Sequence, residues 1–256
     1  MRVRMQLRLR MLPLKMKIEK THRIGLFDTD YQFKLKIEAM ARFFQEIAVY
    51  HSTDMGAGPE VLLKKGVVWF LSRLEMEVFR YPVLGEEIRI ITWSRGFKGY
   101  KGYREYLIDS TKGEIARGSG VWLFFDFMRK RIIRVPAEIS GLYEIEQEKW
   151  FDNEIDDWIP CGRIEPEQEM EISLRYSDFD VNGHVNNTVY LGFLETLYHK
   201  IMKRQSVKNI KIKFCREIDR NTDHVQVSVK EVNGVYRCNI YDKTQLYAEA
   251  EIISME

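Results

Sequence analysis

Residues 177–187, S-D-F-D-V-N-G-H-V-N-N, crowd Asp178, Asp180, Asn182 and His184 into one short loop. Calcium binding, acid–base catalysis and plain turn formation all use such groups. Asp178, Asp180 and Asn182 alternate before Gly183, which copies the first half of an EF-hand loop. That loop needs a bidentate carboxylate at its twelfth position to complete the oxygen shell of Ca²⁺. Here the position is Val189, which has no ligand atom. The preceding segment Glu169–Tyr176, E-M-E-I-S-L-R-Y, alternates like a strand, whereas an EF-hand loop lies between helices. Both facts disfavour calcium. Asn186 and Asn187, just before Thr188, suit a helix N-cap. The loop thus delivers polar groups to the positive end of a helix, a place suited to developing negative charge. Taken alone, such a cluster is more often turn chemistry than catalysis.

The elements that would carry this loop form one plan written twice. Met40, Phe43, Phe44 and Ile47 recur at i, i+3, i+4 and i+7, which predicts a helix within Ile37–Tyr50. Strand-like runs follow at Val67–Phe79, Glu87–Trp93, Tyr103–Asp109 and Ile115–Phe127. In the second half, Tyr190, Phe193, Leu194, Leu197 and Ile201 mark another helix. Strands are expected there at Ile210–Cys215, Val225–Val232, Val235–Tyr241 and Leu246–Ile253. Asn233-Gly234 supplies a hairpin turn, since a type I′ turn needs positive φ at both central residues. The expected class is α+β, with two copies of a helix-wrapping antiparallel sheet joined edge to edge.

The boundaries follow composition. Residues 1–15 read as a basic, poorly ordered leader: the first twenty residues carry seven Lys or Arg against one Glu. Arginines interrupt every apolar run there, and the segment has no Ser, so it fits neither a secretory signal nor a transit peptide. Residues 16–137 form the first domain and 160–256 the second, with an acidic surface connector at 138–171 overlapping the second. That connector holds twelve acidic and two basic residues. No stretch approaches about 18 uninterrupted apolar residues, so no membrane span is expected. Cys161, Cys215 and Cys238 are far apart and form no Cys-x-x-Cys pair. This disfavours a disulfide framework and a thiolate metal site and fits a reducing, cytoplasmic compartment. No recognised reader motif accompanies the basic charge, which ranks nucleic-acid binding low.

The two copies differ where chemistry would sit. The first loop reads F27-D-T-D-Y-Q-F33, without the Asn and His of the second. Aligning Ile88 with Val225 and Ile90 with Val227 sets Arg80 opposite Glu217, so a carboxylate is expected where the first copy has a cation. A solvated strand end and an acid–base pair with His184 both fit Glu217.

At this point R175-Y-S-D-F-D-V-N-G-H-V-N-N-T-V-Y190 resembles the signature of acyl-acyl carrier protein thioesterases, the plant Fat type and its bacterial relatives. Their motif is W-S-D-L-D-V-N-x-H-V-N-N followed by Tyr. His51 within a helix, W69-F-L-S-R-L-E-M-E-V and R80-Y-P-V-L-G…W93 are similar in order and spacing. The resemblance covers roughly residues 16–253. It implies a double hotdog fold, with the acyl pocket mostly in the N-terminal hotdog and the catalytic loop in the C-terminal one. Matched residue by residue, it implies a catalytic network of Asp180, Asn182, His184 and Glu217. The family's R-E-C segment is R216-E217-I218 here, which agrees better with a water nucleophile than with an acyl-enzyme on sulfur.

On that footing the expected reaction is hydrolysis of fatty acyl-acyl carrier protein to a free fatty acid by activated water, with no cofactor and no metal. Glu217 is expected as general base with His184, although the sequence leaves open which takes the proton. Asn182 would position the thioester or its pantetheine arm, and Asp180 would hold His184 or the loop. The expected partner is the carrier protein with its phosphopantetheine-linked acyl chain, and a homodimer stays open. An acyl-coenzyme A thioesterase and a non-catalytic acyl-binding hotdog are the alternatives. Carrier proteins are acidic, so a basic docking face is expected at Arg95, Lys98, Lys101 and Arg104, or at Arg129, Lys130, Arg131 and Arg134. Cys215, two residues before Glu217, is expected on the same face of its strand and is the rival nucleophile.

Overall fold

The computed structural model describes residues 16–201 and 206–255; the basic leader lies outside them. The N-terminal half contains β1 (Lys17–Arg23), α1 (Ile37–Asp54), α2 (Pro59–Lys64), β2 (Val67–Val78), β3 (Glu87–Lys98), β4 (Lys101–Ser110), β5 (Gly113–Asp126), the short β6 (Arg131–Ile132) and α3 (Ala137–Ser140). The C-terminal half contains β7 (Gln168–Ser173), α4 (Asn187–Ile201), β8 (Val207–Phe214), β9 (His224–Val232), β10 (Val235–Tyr241) and β11 (Leu246–Ser254).

The main strands run β1-β3-β4-β5-β2-β8-β11-β10-β9-β7, with β6 paired to β5. Reading outward from the centre, the second half repeats the first. Each is a hotdog, and together they form the expected double hotdog. The seam is the antiparallel pairing of β2 with β8, from Arg73 opposite Lys213 to Glu77 opposite Asn209. Each half would otherwise end in an edge of unpaired N–H and C=O groups, and the seam removes both edges at once.

The predicted apolar faces of the two helices are the buried ones. Met40, Phe43, Phe44 and Ile47 on α1 and Tyr190, Phe193, Leu194 and Leu197 on α4 join one core with the inward residues of the sheet. The two helices pack side by side: a Cβ added to Gly192 of α4 would meet the carboxylate of Glu38 of α1 at 2.7 Å. Asn187, at the start of α4, reaches the carbonyl of Leu71 on β2 at 3.5 Å.

The acidic connector does not simply run over the surface. It straps the outer face of the sheet. Glu154 pairs with Arg95 at 2.5 Å, Asp156 pairs with Lys101, and Arg73 donates to the carbonyl of Trp158 at 2.6 Å. Trp150 donates to the carbonyl of Tyr106, and Trp158 to Glu251, which fixes the strap to both halves. Its carboxylates thus sit over cations that the strands turn outward, and its own Tyr143 and Ile155 are buried.

A glycine marks the tightest contact on the inner face. A Cβ at Gly118 of β5 would lie 2.5 Å from the ring of Phe44, which is itself stacked on Tyr106 with centroids 4.6 Å apart. With the ring held from behind, Gly118→Ala is expected to cost about 1–3 kcal/mol through overpacking. Equilibrium denaturation checks this, and an unchanged midpoint would show that the ring can retreat.

Candidate active site

Both halves hand a strand to their central helix through a loop of the same shape. In the first, Thr29 bridges Leu35 and Lys34 bridges Val83; in the second, Phe179 bridges Val185 and His184 bridges Asp219. The N–H of Leu35 donates to the carbonyl of Pro82, and that of Val185 to the carbonyl of Ile218, both at 2.9 Å. Position for position, Lys34 stands where His184 does, and Tyr81 stands where Glu217 does. The expected match of Arg80 with Glu217 is therefore corrected by one residue. The cause lies in the turn before β9, which is one residue longer than the turn before β3: Ile24 bonds to Glu86 where Leu174 bonds to Asp223. The true counterpart of Arg80 is Arg216.

The structure brings His184 and Glu217 together, with Nε2 of the imidazole 3.4 Å from Oε2 of the carboxylate. Partial burial raises the Glu217 carboxyl above its ordinary range; the neighbouring His184 opposes this, and the negative charge of Asp180 adds to it. Asp180 acts on the loop itself. Its carboxylate accepts from the N–H of Asn182 at 2.8 Å, and its own N–H donates to the carbonyl of His184 at 2.9 Å. Gly183 completes the bend at φ 77°, in the left-handed region that glycine enters without strain. Asn186 caps α4, its side-chain oxygen accepting from the N–H of Thr188 at 3.0 Å.

Asp180 and Asn182 line a cavity of about 700 Å³ that runs into the N-terminal half. Its walls there are largely apolar and aromatic: Ala48, Leu62, Trp69, Phe97, Trp122 and Tyr143. This volume lies within the range of small-molecule pockets, roughly 300–1,000 Å³. The same loop that lines the opening carries His184, two residues further on. One half builds most of the cavity, and the other contributes the loop that carries His184.

Sequence reasoning missed Tyr190. Its hydroxyl donates to the carbonyl of Arg216 at 3.2 Å and accepts from the N–H of Ile218 at 3.1 Å. It therefore grips the backbone on both sides of Glu217. The signal was in the loop's own motif, where Tyr190 follows the helix start. Ile218 is 0% exposed, so the position where the family pattern has cysteine faces the core.

Cys215 differs from expectation. Strand β8 ends at Phe214, and the N–H groups of Cys215 and Arg216 both donate to the carbonyl of Tyr247, so the alternation that would align Cys215 with Glu217 stops. The thiol lies 3.5 Å from Glu249, and burial pushes it up to about 11. It is a protonated thiol at neutral pH and a poor nucleophile. Of the two basic runs, Arg95 and Lys101 are paired to the acidic strap, and Arg104 is buried 2.8 Å from Nδ1 of His51. Arg129, Lys130, Arg131 and Arg134 are all exposed.

Residues 15–143 match the acyl-ACP thioesterase N-terminal domain, and residues 162–253 match the C-terminal domain. A palmitoyl-acyl carrier protein thioesterase of Arabidopsis thaliana is 31% identical over 216 residues, which make up 77% of this chain and 51% of that protein. The chain spans about half the length of these curated relatives. Among solved structures, an acyl-ACP thioesterase from Bacteroides thetaiotaomicron has a TM-score of 0.82 at 18% identity, covering 93% of this chain and 98% of the other. The 12:0-ACP thioesterase from Umbellularia californica has a TM-score of 0.80 at 18% identity, covering 94% and 98%. Likeness at that identity speaks for the fold, and the sequence matches carry the rest: the chain belongs to the acyl-ACP thioesterase family.

Proposed function

We propose that the protein hydrolyses the thioester of fatty acyl-acyl carrier protein and releases the free fatty acid. The observation that carries this reading is the His184–Glu217 pair, 3.4 Å apart, with His184 on the same loop whose Asp180 and Asn182 line a largely apolar cavity. The acyl chain lies in the cavity of the N-terminal half, and the thioester stops at the loop. Glu217, with His184 beside it, takes a proton from a water molecule as its oxygen adds to the carbonyl carbon. The carbonyl oxygen gains negative charge at the N-terminal end of α4, where backbone N–H groups point outward. Collapse of the tetrahedral adduct breaks the C–S bond, and the proton held by the pair passes to the departing thiolate. Asn182 orients the thioester or its pantetheine arm, and Asp180 keeps the loop in shape. Membership of the family supports the carrier-protein substrate, as do the similar palmitoyl- and oleoyl-acyl carrier protein thioesterases of plants. No helix among the described residues is long and apolar enough to cross a membrane.

The direct test is to incubate the chain with acyl-carrier protein and acyl-coenzyme A of varied length and to measure thiol and fatty acid release. Preference for coenzyme A would replace the carrier assignment; no release from either would end the hydrolase reading. Glu217→Gln should lower kcat on the order of 10²-fold, while Cys215→Ala stays within about threefold of the parent.

The pH dependence has a definite sign. A base works only when unprotonated, and the Glu217 pKa is raised, so kcat/KM should fall as pH drops through a point above the ordinary carboxylate value. That limb should vanish from the residual activity of Glu217→Gln.

Tyr190→Phe removes both bonds beside Glu217 and leaves a buried N–H at Ile218 without its acceptor. We expect a loss of about 1–3 kcal/mol in stability and a fall in kcat larger than any rise in KM. Equal losses in a variant of unchanged stability would contradict the gripping role.

The exposed basic run is the face on which an acidic carrier docks. Reversing Arg129, Lys130, Arg131 and Arg134 to Glu should raise KM for acyl-carrier protein, most strongly at low salt, and leave acyl-pantetheine turnover unchanged. An equal effect on both substrates would move the docking face elsewhere.

A further inference from the structure

Helices α1 and α4 begin at Ile37 and Asn187, and counting equally from these residues sets Gln45 opposite Glu195. Residues 41–50 and 191–200 share one order of buried and exposed positions, save at a single place, so the match is spatial as well as numerical. Glu195 has an evident task. Its carboxylate reaches from α4 to the first residue of α1 and accepts the N–H of Ile37 at 3.0 Å. Burial lifts that carboxyl to about 7.

Gln45 holds the related place at the other end of the helix pair. It lines the main cavity with Asn182 and Asn186 of the loop. It also lines a small adjoining hollow with Asn187 and Thr188, the first residues of α4. Where the second half sets the carboxylate of Glu195 against the start of α1, the first sets the neutral amide of Gln45 beside the start of α4 and open to the cavity. A carboxylate there would compete for the N–H of Asn187 and repel an oxyanion. An amide carries no charge to repel the oxyanion, and it brings donors of its own.

We infer that Gln45 is a catalytic residue supplied by the N-terminal half, donating from Nε2 to the thioester carbonyl oxygen beside the backbone N–H of Asn187. Glu195 at Ile37 is then an internal image of the oxyanion that the second half leaves for substrate. As water adds to the carbonyl carbon, charge grows on the oxygen and both hydrogen bonds strengthen; as the C–S bond breaks, the C=O bond is restored. Gln45 exchanges no proton at any step. The inference rests on thioester hydrolysis at this loop, and it adds a donor that the loop motif does not contain.

Two variants and two ligands test it. Gln45→Met keeps length without a donor, and Gln45→Glu rebuilds at α4 the carboxylate that Glu195 presents to α1. On acyl-carrier protein both should lose kcat on the order of tenfold to 10²-fold, with KM within about threefold and folding intact by thermal denaturation. Binding is measured separately with an acyl-pantetheine amide, which keeps the carbonyl but resists hydrolysis, and with an alkyl thioether, which lacks it. Gln45→Met should weaken the amide on the order of fivefold to tenfold and leave the thioether unchanged. Equal weakening of both ligands, with or without a drop in melting temperature, would mark a packing role and overturn the inference. So would unchanged affinity for both. If the parent protein cleaves no thioester, the hydrolase reading falls, whereas the comparison of amide with thioether still decides Gln45.

Discussion

The hydrogen-bonded seam between β2 and β8 is the constraint on which the rest of the molecule depends. A single helix on a five-stranded sheet leaves one sheet edge open and one side of the helix without cover. The seam answers both needs, because pairing the edges also lays α1 and α4 against each other. Each helix start then faces the flank of the other helix, which is why Glu195 can reach Ile37 and why Gln45 borders Asn187. The division of labour follows from the same geometry. A cavity walled by one half opens on a loop that belongs to the other, so neither half alone holds both pocket and titratable pair.

Within this near-symmetry the two loops have separate tasks. Tyr81, the counterpart of Glu217, turns its hydroxyl to the carbonyl of Val207 at 2.9 Å and accepts that residue's N–H at 3.0 Å. It pins the first residue of β8 to the N-terminal half. Glu217 has no such duty and keeps a carboxylate free to face His184. Tyr190 gives the second loop its own anchor through the backbone on both sides of Glu217. One loop uses Tyr81 at the junction; the other is anchored through its backbone by Tyr190 and leaves His184 and Glu217 facing each other.

Much of this was legible in the residues. Spacing on the helix faces and alternation in the strands marked both central helices and nine strands, with β3 and β8 extending beyond their expected ends. The cluster Asp180, Asn182, His184 was visible because its members are neighbours in the chain. Glu217 was found only by comparing the halves, and that comparison slipped by one residue where a turn had grown. Long-range pairing was not legible. Arg95 and Lys101 look like a docking face until the acidic strap is seen to cover them, and Arg104 until His51 is seen beside it. Gln45 carried no signal of its own, since a polar residue on a helix is ordinary until the neighbouring helix is in place.

The turn at Phe33 has a wider meaning. It sits at φ 63°, in the left-handed region where its counterpart Gly183 sits at 77°. A bulky side chain there costs on the order of 1–3 kcal/mol, a strain borne only when the surroundings dictate the bend. The first loop holds this bend without the histidine or the glutamate that pair in the second. The bend therefore answers to the passage from strand to helix and not to the titratable pair. Foldability and reactivity are separable here, like a socket and the tool fitted into it. Such a scaffold can exchange the exposed residues at its tip for new substrates while its framework stays constant, and this chain already carries one socket with no tool in it.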